Sequence, residues 1–314
     1  MRGWVFNLLK VLVSAGLLAY ILIAQVNLNQ LATILFSSRG SYLVAAAALM
    51  IVGTALRAVR WQALLRPLNI HVPLRLLVHW FFVGSFFNLF LPTGLGGDAV
   101  KMAKLGGYTG RHPEAIGTTL VDRATGLWVL FVLALLALPF SYRLLPRDWI
   151  VSTAAIAAAG VIGGLLVMAT PLLPWLGSRF HLPGQAKLDR FYRSVSQLGL
   201  SALGKACLIS LVFDLMLILF NIWVAASLNV DQPLGIFLLF TPLISFSLAL
   251  PISIGGLGVR EQTYLSLFAV VGVPASTAVA MSLINYVLTN VVVGAIGGGL
   301  YALEGLRALA RRNA

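Results

Sequence analysis

The chain has 314 residues, 60% hydrophobic and 10% charged, with a mean hydropathy of +0.95. Soluble domains carry about 45–50% apolar and about 25% charged residues, so this composition excludes a soluble fold and leaves surplus apolar surface that has to face lipid. The net charge of +13, from 22 Lys and Arg against 9 Asp and Glu, falls mostly in short segments between apolar runs, as orientation in a bilayer requires, and forms no nucleic-acid-binding face.

In chain order, apolar runs cover 8–24, 42–57, 76–91, 117–139, 149–170, 206–228, 234–250, 263–273 and 276–303. The first follows Arg2 and contains Lys10, as in a signal peptide. No small-x-small cleavage site comes after it, since Gln25-Val26-Asn27-Leu28 is next, so it reads as an uncleaved first span. A full crossing needs about 20 residues, roughly 17 at the short limit. The runs 76–91 and 234–250 are marginal, and 263–273 is too short. Cys207, the one cysteine, lies inside an apolar run and reads as a small buried residue, with no disulfide framework, metal spacing or thiol–histidine pair around it.

Both marginal runs end in Leu-Pro, and the residues just beyond each Leu-Pro are the most informative feature of the chain. One stretch is Leu91-Pro92-Thr93-Gly94-Leu95-Gly96-Gly97-Asp98-Ala99-Val100-Lys101, the other Leu250-Pro251-Ile252-Ser253-Ile254-Gly255-Gly256-Leu257-Gly258-Val259-Arg260. Aligned without gaps, Leu, Pro, both glycines and Val coincide, and Lys101 meets Arg260. Proline breaks a helix and Gly-Gly permits backbone that is neither helix nor strand. At membrane depth such backbone survives only where protein or a water-filled cavity satisfies it. Broken segments at matching places in two halves point to a transporter site; two ordinary helix-ending loops are the plainer alternative.

Reading each broken stretch as a re-entrant hairpin gives an all-α polytopic membrane protein. It has about six full transmembrane helices and two hairpins, in a single transmembrane domain over 1–314. The repeats, about 42–139 and about 206–303, are inverted relative to each other. A basic loop, 171–205, separates them and either anchors the topology or lies on an anionic leaflet. Arg39, Arg143, Arg147 and Arg260 then fall outside, Arg123 lies within a span, and all other Lys and Arg fall inside. This asymmetry places the protein in the cytoplasmic (inner) membrane with both termini cytoplasmic.

Several charges stand where lipid makes them costly. Asp214 lies in the first half of a span, paired with Arg123, protonated near Asn221, or carrying function. Asp122 and Arg123 are adjacent, so they do not face each other on a helix and need separate partners, with Lys101, Arg260, Asp98 and Glu261 at hand. Asp98 follows the first Gly-Gly and Arg260-Glu261 the second; helix N-capping is their plainer role. Asn88 could satisfy loop backbone, and His79 reads as interfacial or packed, with no histidine at metal spacing from it. No nucleophile–base constellation, Walker loop or dinucleotide fingerprint is visible, so no catalytic residue, cofactor or metal is expected.

Asn88-x3-Pro92 with Gly96-Gly97-Asp98 and Lys101, Asp122-Arg123-x2-Gly126, and Pro251-x3-Gly255-Gly256-x-Gly258-x-Arg260-Glu261 together resemble the lysylphosphatidylglycerol synthase transmembrane, flippase-like family over about residues 8–303. Asp122 stands where Glu is commoner in that family. The resemblance implies a membrane region that moves a phospholipid across the bilayer. The family's synthase activity belongs to a fused soluble transferase domain, which a chain ending at Ala314 is expected to lack. The expected substrate is a membrane lipid with an anionic or phosphate-containing headgroup, held by Lys101, Arg123 and Arg260. Asp98, Asp122, Asp214 and Glu261 would balance these bases or carry a proton. Two alternatives stay open: an integral-membrane transferase using Asp98, Asp122 or Glu261, and a scaffold for enzymes of a lipid, hopanoid or lipid-linked glycan pathway. Oligomeric state is unknown from sequence.

Overall fold

The computed structural model describes residues 16–90, 96–169, 185–249, 253 and 256–312, and every regular element among them is helical. Helices α1 (Gly16–Gln25) and α2 (Leu28–Phe36) are bent by 93° at Val26-Asn27, where the Asn27 side chain accepts the N–H groups of Asn29 and Gln30. The described part of the expected first span, 16–24, is helical, and the bend comes just after its end. Next come α3 (Gly40–Leu65), α4 (Leu74–Phe90), α5 (Gly96–Thr109), α6 (His112–Ser141) and α7 (Arg147–Ala169). After them run α8 (Gln185–Ser227), α9 (Leu234–Ala249), α10 (Val259–Ala269), α11 (Ala275–Tyr286), a π-helical turn (Val287–Val292) and α12 (Val293–Arg312).

Five of these stretches are long and apolar enough to cross a membrane, or six if the bent α1–α2 pair is one span. The chain is thus a multi-pass helical membrane protein. Large apolar side chains such as Leu136, Phe140, Val151, Ile162 and Leu208 are exposed on the outer helix faces, where only lipid could cover them. Two elements run past their apolar runs. α3 continues through Arg57 and Arg60 to Leu65, carrying both arginines into the body of the protein. Helix α8 starts at Gln185, within the expected basic loop, and breaks only at Gly199, whose φ is +70°; the part of that loop covering 171–184 lies outside the described residues.

The two short helix pairs are antiparallel hairpins. In the first, Gly84 lies against Gly97 near the tip, and the rings of Trp80 and Tyr108 meet at 5.9 Å near the base. In the second, Thr263 Oγ1 donates to Ser247 Oγ at 3.1 Å, and Phe240 and Phe268 pack edge to face at 5.3 Å. α4, with 17 residues, and α9, with 16, stand at or just below the short limit for a crossing, and α5 and α10, with 14 and 11, fall well short of it.

The 30-residue α6, about 45 Å long at 1.5 Å per residue, shows how the hairpins are set. Its N-terminus follows the base of the first hairpin after only Gly110 and Arg111. Its C-terminus meets the base of the second, where Ser141 Oγ donates to the Gly235 carbonyl at 2.7 Å. The bases of the two hairpins therefore lie at opposite ends of α6. α4 lies along α12 through Gly294, Gly297 and Gly298, whose missing side chains admit Leu89, Phe82 and Phe86, and α9 lies along α6 in the same manner through Gly235. Among the described residues, α3 and α8 share the most extensive helix–helix packing.

Candidate functional site

Residues of both hairpins line one cavity, Asn88 from the first and Ser253, Gly256 and Arg260 from the second, and the two Gly-Gly stretches are built on different physics. At the first, Gly97 is already helical. A Cβ there would stand 2.5 Å from the Gly84 carbonyl oxygen and 2.7 Å from Asn88 Nδ2, so glycine is required by close backbone approach. Asn88 Oδ1 accepts the Gly97 N–H at 2.6 Å, satisfying a donor that the first turn of α5 leaves unpaired. Asp98, buried one residue on, takes the Lys101 ammonium at 2.7 Å on one oxygen and pairs through the other with Arg123 Nε of α6. Lys101 rests over the Phe81 ring at 4.0 Å and the Trp61 ring at 5.6 Å. Gly96 is buried at the start of α5; Pro92 lies outside the described residues.

At the second break Gly256 and Gly258 both have φ of +80°, a region that L side chains avoid, so here glycine supplies conformation. Glu261 is fully buried and accepts the Gly258 N–H at 2.6 Å and the Ser282 hydroxyl at 3.1 Å. It is the N-terminal cap of α10, the plainer of the roles open to it. Arg260 lies over the Tyr286 ring at 4.7 Å. Behind it, Tyr264 donates to Asn221 Oδ1 at 2.6 Å and accepts from Asn285 Nδ2 at 2.9 Å, tying α10 to α8 and α11. Pro251 and Gly255 lie outside the described residues.

A second polar cluster links the long helices. Arg60 of α3 donates from Nε to Asp122 Oδ1 of α6 at 2.6 Å and from Nη1 to Ser210 Oγ of α8 at 2.8 Å. Asp214, one turn after Ser210 and buried, feels the charges of Arg60 and Arg57. Arg60 thus supplies the base that Asp122 needs, and neither of the partners expected for Asp214 is engaged in the expected way. Arg123 turns to Asp98, and Asn221 holds Tyr264.

The cavity that both hairpins line has a volume of about 400 Å³. Three cations line it: Arg57 from α3, Arg123 from α6 and Arg260 from α10. Four amides join them, Asn88, Asn221, Asn285 and Asn290, and no Asp or Glu stands among the described lining residues. Thr289 and Asn290 reach the cavity from the π-helical turn, a local widening that often marks functional positions. Of the residues singled out from sequence, Asn88, Arg123, Gly256 and Arg260 line this space. Asp98 touches it through Arg123, whereas Lys101, Asp122, Asp214, Glu261 and Gly258 do not line it.

Arg57 was not legible as a site residue, because it sits at the end of an apolar run where a basic residue ordinarily marks a membrane boundary. The available signal was helical spacing: Met50, Thr54 and Arg57, at i, i+4 and i+7, share one face of α3 and all line the cavity. The Asn285–Asn290 pair carried no motif at all.

Among the described residues no group of three or more His, Cys, Asp or Glu could hold a metal ion. No curated protein matches the chain by sequence. The family model for the lysylphosphatidylglycerol synthase TM region matches residues 7–297, which takes in both hairpins, the Arg60–Asp122 pair and every residue lining the cavity. With nearly the whole chain matched, this protein belongs to the lysylphosphatidylglycerol synthase transmembrane family.

Proposed function

We propose that this protein translocates an anionic phospholipid, or a lipid-phosphate-linked precursor, across the cytoplasmic membrane. The two hairpins act as inverted repeats around one central site, and both termini lie on the cytoplasmic side. The observation that carries the reading is the cavity itself, with Arg57, Arg123 and Arg260 around one space that residues of both hairpins line. A cation at the bilayer centre costs about 2.5–3.5 kcal/mol on insertion scales. Arginines gathered at membrane depth around an open space fit a phosphate that comes and goes, because the guanidinium fork matches phosphate oxygens.

The acids speak against the transferase alternative. Asp98, Asp122 and Glu261, the groups that could do acid–base work, hold Lys101 and Arg123, Arg60, and the Gly258 and Ser282 donors respectively. None of them lines the cavity. The test is a sidedness assay in liposomes containing the purified protein and a fluorescent anionic phospholipid. Movement of the label to the protected leaflet, without covalent change, supports translocation. A lipid that stays in its leaflet, or leaves the assay chemically altered, overturns it.

A further inference from the structure

Resting on that reading, we infer that the cavity takes a headgroup made of phosphate and hydroxyl groups, as in a glycerol, inositol or hexose phosphate, and rejects a headgroup that carries a free ammonium group. A phosphate site alone would not distinguish the two, since zwitterionic and aminoacylated phospholipids also contain phosphate. The difference lies in the rest of the wall.

An ammonium group needs acceptors and a counter-charge, and every acid with a described side chain is placed elsewhere. Asp98 is taken by Lys101 and Arg123, Asp122 by Arg60, and Glu261 by the start of α10. Glu304 holds Lys104 at 2.8 Å at the base of the first hairpin. Asp214 is buried beside Ser210 without lining the cavity, and Glu114, Asp148 and Asp231 lie in first turns or connections. The segments 91–95, 250–252 and 254–255, outside the described residues, contain no acidic residue in sequence. An ammonium group entering here would meet guanidinium groups and no carboxylate, which disfavours it on charge alone.

Hydroxyl groups meet the opposite situation. Beyond the bonds they already make, Asn88 keeps its amide edge and Asn285 and Asn290 their carbonyl edges, and Thr54, Ser245 and Ser253 add hydroxyl oxygens, whereas Asn221 is held by Tyr264 and the Leu217 carbonyl. A sugar or glycerol hydroxyl both donates and accepts, as these groups do. The space of about 400 Å³ is within the roughly 300–1,000 Å³ of pockets that enclose whole small ligands, so it has room for a polyol beside the phosphate.

The experiment measures lipid binding to the purified protein by native mass spectrometry. Phosphatidylglycerol and phosphatidylinositol are compared with phosphatidylethanolamine and lysyl-phosphatidylglycerol, and with inositol 1-phosphate and inorganic phosphate as soluble probes. The expected result is about tenfold or greater preference for the amine-free lipids. Asn285→Ala should erode the advantage of phosphatidylinositol over phosphatidic acid while both still bind, and Asn290→Ala provides the same reading should Asn285→Ala fold poorly through its loss of the Tyr264 contact. Binding of an amine-bearing lipid within about threefold of phosphatidylglycerol overturns the inference. So does soluble phosphate binding as tightly as the lipid, which would assign the cavity to free anions. Selective binding with no change of sidedness in liposomes leaves the headgroup assignment standing and rejects translocation. Movement of all lipids alike does the reverse.

Discussion

Arg60 and Asp122 meet at 2.6 Å between α3 and α6, with side chains only 6% and 1% exposed. The same guanidinium reaches Ser210 on α8, so one residue ties together three long helices beside the cavity. Removing one member of a buried pair leaves the other charged and unpartnered, which costs about 3–5 kcal/mol, whereas replacing both with apolar groups is often close to neutral.

Arg60→Met and Asp122→Leu should each therefore lower thermal stability in detergent sharply, and the double variant should recover most of the loss. Unfolding midpoints of the three variants decide it. A double variant as unstable as the sum of the two singles would show that the pair is not the unit.

The Gly-Gly breaks predict a difference between equivalent positions. Gly256→Asn should keep more activity than Gly256→Val, since Asn tolerates positive φ better than other side chains and the Leu248 methyl 2.6 Å from a Cβ there is the movable end of a side chain. Gly256→Val should lose activity through backbone strain of order 1–3 kcal/mol. At Gly97, Ala is already too large because the Gly84 carbonyl is rigid backbone, so Gly97→Ala and Gly97→Asn should fail alike. Translocation rates normalised to folded protein test this, and equal behaviour of Asn at the two positions would refute it.

Arg57→Gln and Arg260→Gln should fold and lose preference for anionic over zwitterionic lipid. Lys101→Gln should lower stability and leave the preference intact, because Lys101 serves Asp98 and the Phe81 ring and does not line the cavity. The ratio of translocation rates for the two lipid types is the readout. A ratio that changes only in the Lys101 variant would reject this division of roles.

Opposed hairpins predict opposite labelling. In a Cys207→Ala background, a cysteine replacing Arg111, at the base of the first hairpin, should react with a membrane-impermeant maleimide from the cytoplasmic side. One replacing Pro274, after the second hairpin, should react from the other side. Both positions are exposed. Labelling of both from one side would remove the inverted arrangement.

Membrane class, the positions of the long spans and the two broken stretches are all legible in the chain, because each depends on local composition. Lipid demands apolar runs of fixed length, and the described helices end at Phe90 and Ala249, just before each Leu-Pro. The residue-by-residue match of Pro92 to Pro251 and Gly97 to Gly256 carried the hairpins for the same reason. Composition could not place the continuation of α3 to Leu65, whose last turns are buried against other helices.

What only the tertiary structure decided is which charges meet. Lys101 and Arg260 align in sequence, yet Asp98 lies three residues before Lys101 and draws it out of the cavity, while Leu257 stands at that place before Arg260. Arg57, a boundary residue by position, takes a place in the cavity wall because α3 packs centrally against α8. Electrostatic pairing depends on a few ångströms of separation between residues such as Arg60 and Asp122, 62 positions apart. Local sequence carries no record of that distance, and the folded packing of α3, α6 and α8 sets it.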